Sequence, residues 1–177
     1  MPKKPLDELE AGRAFYAERL PQLDGEYFGT MWHLFTVGHL VTTDLDRIAG
    51  TFGFSYADLH LLGMLSIERR RAMRATDLAS ALYVSNAVLS IRIARLEKLG
   101  LLTRDRSGVD RRAYELTLTE RGRAIVEESI LVIAGEAKIV RHFRKLPPED
   151  RQSLSRLLGK LHEMMDREFV GVQREND

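Results

Sequence analysis

Ser85-Asn86-Ala87-Val88-Leu89-Ser90-Ile91-Arg92-Ile93-Ala94-Arg95-Leu96-Glu97-Lys98-Leu99-Gly100 is the stretch on which the fold turns. The hydroxyl of Ser85 can accept a hydrogen bond from the unpaired backbone N–H groups that open a helix, and Gly100 can take the backbone conformation that closes one. Between them Leu89, Ile93, Leu96 and Gly100 fall on one side of the helix. Ala87, Val88, Ile91, Ala94, Arg95 and Lys98 fall largely on the other. Just upstream, residues 76–82 (TDLASAL) read as a helix of about two turns, interrupted by Tyr83-Val84. Two helices joined by a short turn and sharing one apolar stripe are the pattern of a helix-turn-helix.

Beyond Gly100 the periodicity changes. Residues 102–106 are short and extended, and Tyr114, Leu116 and Leu118 alternate with Glu115 and Thr117, a period of two. Ser107-Gly108-Val109-Asp110 has turn composition. The expectation is a two-stranded ribbon with Arg104, Arg106, Arg111 and Arg112 on its tip and shoulders. A helix-turn-helix followed by an arginine-tipped ribbon is a winged helix, and its parts match the dimensions of duplex DNA. A helix of about 15 residues is roughly 22 Å long and fits the major groove, while a thin ribbon carrying guanidinium groups suits the minor groove with its negative potential.

The charge is distributed accordingly. The chain of 177 residues has a net charge of only +1, yet residues 69–123 hold thirteen Lys and Arg against six Asp and Glu, a local charge of +7. The remainder, with fourteen bases and twenty acids, is −6. A basic middle between acidic flanks is the electrostatic footprint expected for a polyanion, because each neutralised phosphate releases condensed counterions.

The flanks read as helices. Leu6, Leu9, Phe15, Tyr16 and Leu20 suggest a short one ended by Pro21. Phe28, Met31, Trp32, Phe35, Leu40, Val41, Leu45 and Ile48 carry a long apolar one over residues 27–49, stopped by Gly50 and Gly53. Ser55-Tyr56-Ala57-Asp58 has the form of a capping box opening a third, which ends near Arg69-Arg70-Arg71. Thr119 can cap a long helix running through Val140, and Pro148-Glu149-Asp150 opens a last one carrying Leu154, Leu157, Leu158, Leu161 and Met165. The fold class expected is mostly α with a small two-stranded β wing. Residues 1–54 form an N-terminal extension and first dimerisation helix, 55–122 the winged module, and 123–177 C-terminal dimerisation helices. The long outer helices must be covered, either by one another within the chain or by a second copy.

Three blocks together resemble the MarR family of winged-helix transcriptional regulators: Ser85-Asn86-Ala87-Val88-Leu89-Ser90; Arg95-Leu96-Glu97-Lys98-Leu99-Gly100-Leu101-Leu102; and Asp110-Arg111-Arg112-Ala113-Tyr114-Glu115-Leu116-Thr117-Leu118-Thr119-Glu120-Arg121-Gly122. The resemblance covers about residues 28–167, leaving 1–27 as an extra element. It implies a homodimer on double-stranded, pseudo-palindromic DNA, most simply a repressor, with two recognition helices about one DNA turn, roughly 34 to 36 Å, apart. Ser85, Asn86, Ala87, Val88, Ser90, Ile91, Arg92 and Arg95 would belong to the recognition helix. Arg104, Arg106, Asp110, Arg111 and Arg112 would belong to the wing, with Arg111 entering the minor groove and Asp110 orienting a neighbouring arginine. Many relatives carry arginine where this chain has Ile91, and Arg92 is displaced from it by ~100° about the helix. Ile91 either meets thymine methyls with Val88 or packs against its own domain. The resemblance also implies a small aromatic or anionic effector, for which Trp32, His33 and His60 are candidates, although a core aromatic and hydrogen-bonded histidines are the ordinary reading of such residues.

Other classes are disfavoured by composition. With no cysteine there is no thiol catalysis or thiolate metal site, and no phosphate-binding glycine loop, nucleophile elbow or HExxH motif is present, so an enzyme is not expected and no cofactor is called for. A metal-responsive regulator is the alternative, since five histidines (His33, His39, His60, His142, His162) accompany many acids, and His162 and Asp166 lie four apart on one helix. The chain is 44% hydrophobic and 30% charged, with no apolar run near the ~18 residues that span a bilayer. Met1-Pro2-Lys3-Lys4-Pro5-Leu6-Asp7-Glu8 turns acidic with no apolar run behind it, so a cytoplasmic location without membrane association is the expectation.

Overall fold

The computed structural model describes residues 5–22, 25–67, 73–106 and 114–175. The chain divides into two units, residues 1–44 and 45–177.

In the first unit, α1 (Pro5–Arg19) is followed by the opening of α2 (Glu26–Thr51). Aromatic rings join them. The Tyr16 and Phe28 centroids are 4.9 Å apart, and Phe28 and Trp32 stand at 6.1 Å along α2. Gly12 allows this approach, since a Cβ there would lie 2.8 Å from Phe28 Cζ. The extra N-terminal helix read from the sequence is thus present and packed.

The second unit begins within α2, where Leu45, Ile48 and Ala49 are buried. Then come α3 (Tyr56–Ile67), β1 (Met73–Arg74), α4 (Ala75–Ala81), α5 (Asn86–Lys98), β2 (Leu102–Arg106), β3 (Tyr114–Leu118), α6 (Glu120–Glu136), α7 (Lys138–Phe143) and α8 (Pro148–Glu175). Leu61 and Leu62 of α3, Leu78 of α4, Leu89 and Leu96 of α5, Leu101, Leu102 and Val126 make one apolar core with at most 2% exposure. Fully burying a Leu side chain stabilises by about 1.5–3 kcal/mol, so this cluster rather than helix propensity holds the module together.

The sheet is antiparallel in the order β1-β3-β2, with Leu102 opposite Leu118, Arg104 opposite Leu116 and Arg106 opposite Tyr114. The expected two strands are joined by a third, because Met73 and Arg74 pair with Leu116 and Glu115. A two-residue strand leaves no periodic signal, and only the free edge of β3 reveals it.

A second departure lies in the helix expected to continue from Thr119 through Val140. It breaks at Ala137, whose backbone turns extended (φ −61, ψ 128) while its N–H still donates to the Ile133 carbonyl at 3.0 Å. Its own carbonyl accepts from Arg141 N at 3.1 Å and opens α7. Alanine is the strongest helix former, so propensity is no guide here. Ala137 is fully buried, and tertiary packing overrides the local preference.

Candidate nucleic-acid interface

Helix α5 is held at both ends. At its start Ser85 Oγ accepts from Val88 N at 3.3 Å. At its end Gly100 takes φ +69, its N–H donates to the Glu97 carbonyl and Leu101 N donates to the Leu96 carbonyl. The segment that leaves β3 grips the same end. Thr119 Oγ1 donates to the Gly100 carbonyl at 2.8 Å and accepts from Gly122 N at 3.0 Å, and Arg121 Nη1 donates to the Leu99 carbonyl at 3.1 Å. Gly122 is required there, because a Cβ would collide with the Leu101 carbonyl. Leu118-Thr119-Glu120-Arg121-Gly122 therefore serves as a clasp on the C-terminus of α5.

A tie to α3 runs along the helix flank. Asp58, 1% exposed, accepts from Ser55 N at 2.9 Å and Ser55 Oγ at 2.6 Å, while Asp58 N donates back to Ser55 Oγ at 3.2 Å, the reciprocal capping box read from the sequence. The same carboxylate receives Arg95 Nη1 at 3.1 Å, and Arg95 Nη2 reaches the Gly53 carbonyl at 3.5 Å. Helical spacing places Arg95 on the outward face. Its side chain is half-exposed, but its guanidinium turns back toward α3. The sequence showed Asp58 only as a cap, and nothing in the spacing of positions 58 and 95 announces their pairing.

Among the other candidates, Ser85, Asn86, Ala87, Val88, Ser90 and Ile91 are exposed on α5 or its cap, and Arg92 is half-buried. Ile91 is 72% exposed and Val88 41%. Packing of Ile91 against its own domain is therefore not what the structure shows. Arg104 Nε stands 2.8 Å from Glu97 Oε2, an ionic contact off the line of a hydrogen bond, which ties β2 to α5. Asp110, Arg111 and Arg112 lie outside the described residues, as does the side chain of Arg106.

The turn between α4 and α5 has an unexpected partner. Tyr83 has φ 52, a left-handed conformation that a non-glycine residue rarely adopts. Its hydroxyl donates to Asp166 Oδ1 at 2.5 Å and stands 3.3 Å from His162 Nε2, both on α8. A phenol has one proton, so with that proton given to Asp166 the imidazole N–H must be the donor to the Tyr83 oxygen. The hydrogen bond to Asp166, with desolvation and the carboxylate charge behind it, raises the phenol pKa above its ordinary value. His162 and Asp166, the pair considered for a metal, thus converge on a tyrosine hydroxyl. Among the described residues no group of three or more metal-ligating side chains comes together, and the metal-responsive alternative finds no support.

Of the effector candidates, Trp32 is half-buried and lines a cavity of about 1130 Å³ in the first unit, with Arg13, Tyr16, Tyr27, Phe28 and Met31. His33, its neighbour on α2, is exposed and not part of that lining. In the second unit His60 stacks on Tyr56, ring centroids 5.8 Å apart. No helix among the described residues is long and apolar enough to cross a membrane.

The family model described as MarR family matches residues 52–113. AbsC, a MarR family transcriptional regulator from Streptomyces coelicolor, is 31% identical, with 81% of this chain and 95% of AbsC covered at a TM-score of 0.66. Sco3205, a MarR family transcriptional regulator from the same organism solved in complex with DNA, is 27% identical, with 80% of this chain and 88% of Sco3205 covered at a TM-score of 0.70. The HTH-type transcriptional regulator PecS of Dickeya dadantii is 29% identical over 146 residues, 80% of this chain and 84% of PecS.

Proposed function

The chain belongs to the MarR family of transcriptional regulators, and from that premise we propose that it is a cytoplasmic, homodimeric repressor that grips a pseudo-palindromic duplex and releases it on binding a small effector. The observation that carries the DNA reading is the outward face of α5. The helix is pinned by Ser85, Asp58, Thr119 and Arg121, yet Ala87, Val88, Ser90 and Ile91 remain exposed. Rigid support beneath a bare face is what a groove-reading helix needs. The wing, with Arg104, Arg106, Asp110, Arg111 and Arg112, would follow the adjacent minor groove, and Asn86 and Arg92 would meet phosphates or base edges beside α5. The DNA complex of Sco3205 supports the assignment by likeness.

Dimerisation is supported by α8, where Leu154, Leu157, Leu158, Leu161, Met164 and Met165 recur at helical spacing and stay exposed in the single chain. An apolar stripe of this length is more than a monomer ordinarily leaves in water. Residues 1–54 and 123–177 accordingly supply the dimer, and 55–122 the reading head. The effector class best matched by the cavity at Trp32 is a small aromatic anion, stacked on the rings and paired with Arg13, and neither His33 nor His60 lines that cavity. An effector acts by preferring the dimer geometry that does not fit DNA.

Selection from random duplexes with the purified chain tests the reading. The expected product is an inverted repeat whose half-sites stand about one helical turn apart, bound by two chains. Recovery of no enriched sequence would refute it.

A further inference from the structure

We propose that Val88 and Ile91 read thymine methyl groups in the central base pairs of each half-site, so that this chain selects thymine where a long donor would select guanine. The proposal rests on the DNA-binding reading above and adds the chemistry of what is read. Around the outward face of α5 the central positions are Ala87, Val88, Ile91 and Ala94, all exposed and all without a hydrogen-bonding group. Ile91 presents 72% of its surface and Val88 41%, apolar area whose burial against another apolar surface would be favourable.

In the major groove the C5 methyl of thymine is the one apolar feature on a base edge, whereas guanine is recognised by paired donors from Arg or Lys. Lys98 shares this face and is exposed, but it stands in the last turn, about 10 Å along the axis beyond Ile91, so no such donor stands at the centre of α5. Arg95 is drawn back to Asp58 at 3.1 Å, and Arg92 is half-buried and turned ~100° from Ile91. Val88 and Ile91 are three residues apart, about 4.5 Å along the helix axis, against a base-pair rise of ~3.4 Å. They are placed for neighbouring thymines, with Ser90 and Asn86 on the flanks available for polar edges.

The test replaces thymine by deoxyuridine, which removes the methyl and nothing else. Affinities of the wild-type chain are measured by fluorescence anisotropy on the selected duplex and on copies carrying deoxyuridine at one symmetric pair of positions at a time. Burial of one methyl corresponds to about a fourfold change in affinity. One or two positions per half-site should therefore each weaken binding by about fourfold per half-site, with the rest unaffected. Ile91→Ala, an exposed change that should leave the circular dichroism unaltered, should bind the parent duplex more weakly and be indifferent to deoxyuridine at its position. Val88→Ala should behave likewise at the adjacent one. If every deoxyuridine duplex binds as tightly as the parent, or if Ile91→Ala keeps the full methyl dependence, the proposal is overturned while DNA binding stands. A chain that binds no duplex overturns both.

Discussion

The Arg95 guanidinium lies 3.1 Å from the Asp58 carboxylate, so the helix that would enter DNA is braced against the N-terminus of α3 by a half-exposed cation and a buried anion. Asp58 is nearly inaccessible and already accepts two hydrogen bonds from Ser55, which orient it toward Arg95. Removal of Arg95 leaves that buried charge short of a partner. Arg95→Ala should lower unfolding stability by about 1–2 kcal/mol, reduced from the fully buried case because the arginine side is open to water. Asp58→Ala should cost at least as much, since the cap is lost with the ion pair. Urea denaturation of the two single variants and the double variant checks this. A double variant whose loss equals the sum of the singles would show that the two side chains do not interact.

Gly122 faces the Leu101 carbonyl too closely for any side chain. Gly122→Ala should destabilise the chain by about 1–3 kcal/mol through forced displacement. Because the clasp on Leu99 and Gly100 moves with it, DNA affinity should fall as well. Thr119→Val, which removes the hydroxyl shared by Gly100 and Gly122, should cost about 1 kcal/mol as a lost cap. Calorimetric melting temperatures equal to wild type in both variants would contradict the clasp.

Tyr83 should ionise at higher pH than an ordinary tyrosine. Its phenol donates a hydrogen bond to Asp166, and a phenolate would face that carboxylate directly. The folded pKa is raised above the unfolded one, so the contribution to stability is present below the unfolded value of about 10 and is lost as pH rises through the folded value. Phenolate absorbance, compared between the wild type and Tyr83→Phe, isolates this group. Asp166→Asn should return its titration toward the ordinary range. No change in that variant would mean the hydrogen bond is not formed in solution.

The apolar stripe of α8 should be the dimer contact. Replacing Leu158 and Leu161, both exposed in the single chain, by glutamate should yield a monomer in sedimentation with helical content retained. A variant that sediments as wild type would place the dimer elsewhere.

Much of the fold was legible because its signals are local. Ser85, Ser55 and Thr119 cap the helices that their positions announced, and Gly100 ends α5. The alternation at Tyr114–Leu118 gave β3. What escaped depends on distant partners. The strand at Met73 and Arg74 exists only because β3 offers an edge, and the break at Ala137 only because that residue is buried. The pairings of Arg95 with Asp58 and of Tyr83 with Asp166 join residues far apart in sequence, and neither leaves a periodic trace. The exposure of Ile91 likewise depends on packing, since a helical wheel places it outward without saying whether another element covers it.

The dependence of DNA affinity on salt tests most directly whether this chain holds a duplex with α5 and the wing. The logarithm of the association constant on a selected duplex should fall linearly with the logarithm of salt, at about 0.9 per phosphate neutralised. Arg111→Ala should weaken binding and make that slope shallower by about one. A salt-independent affinity, or an Arg111→Ala line that overlies the wild type, would contradict the account.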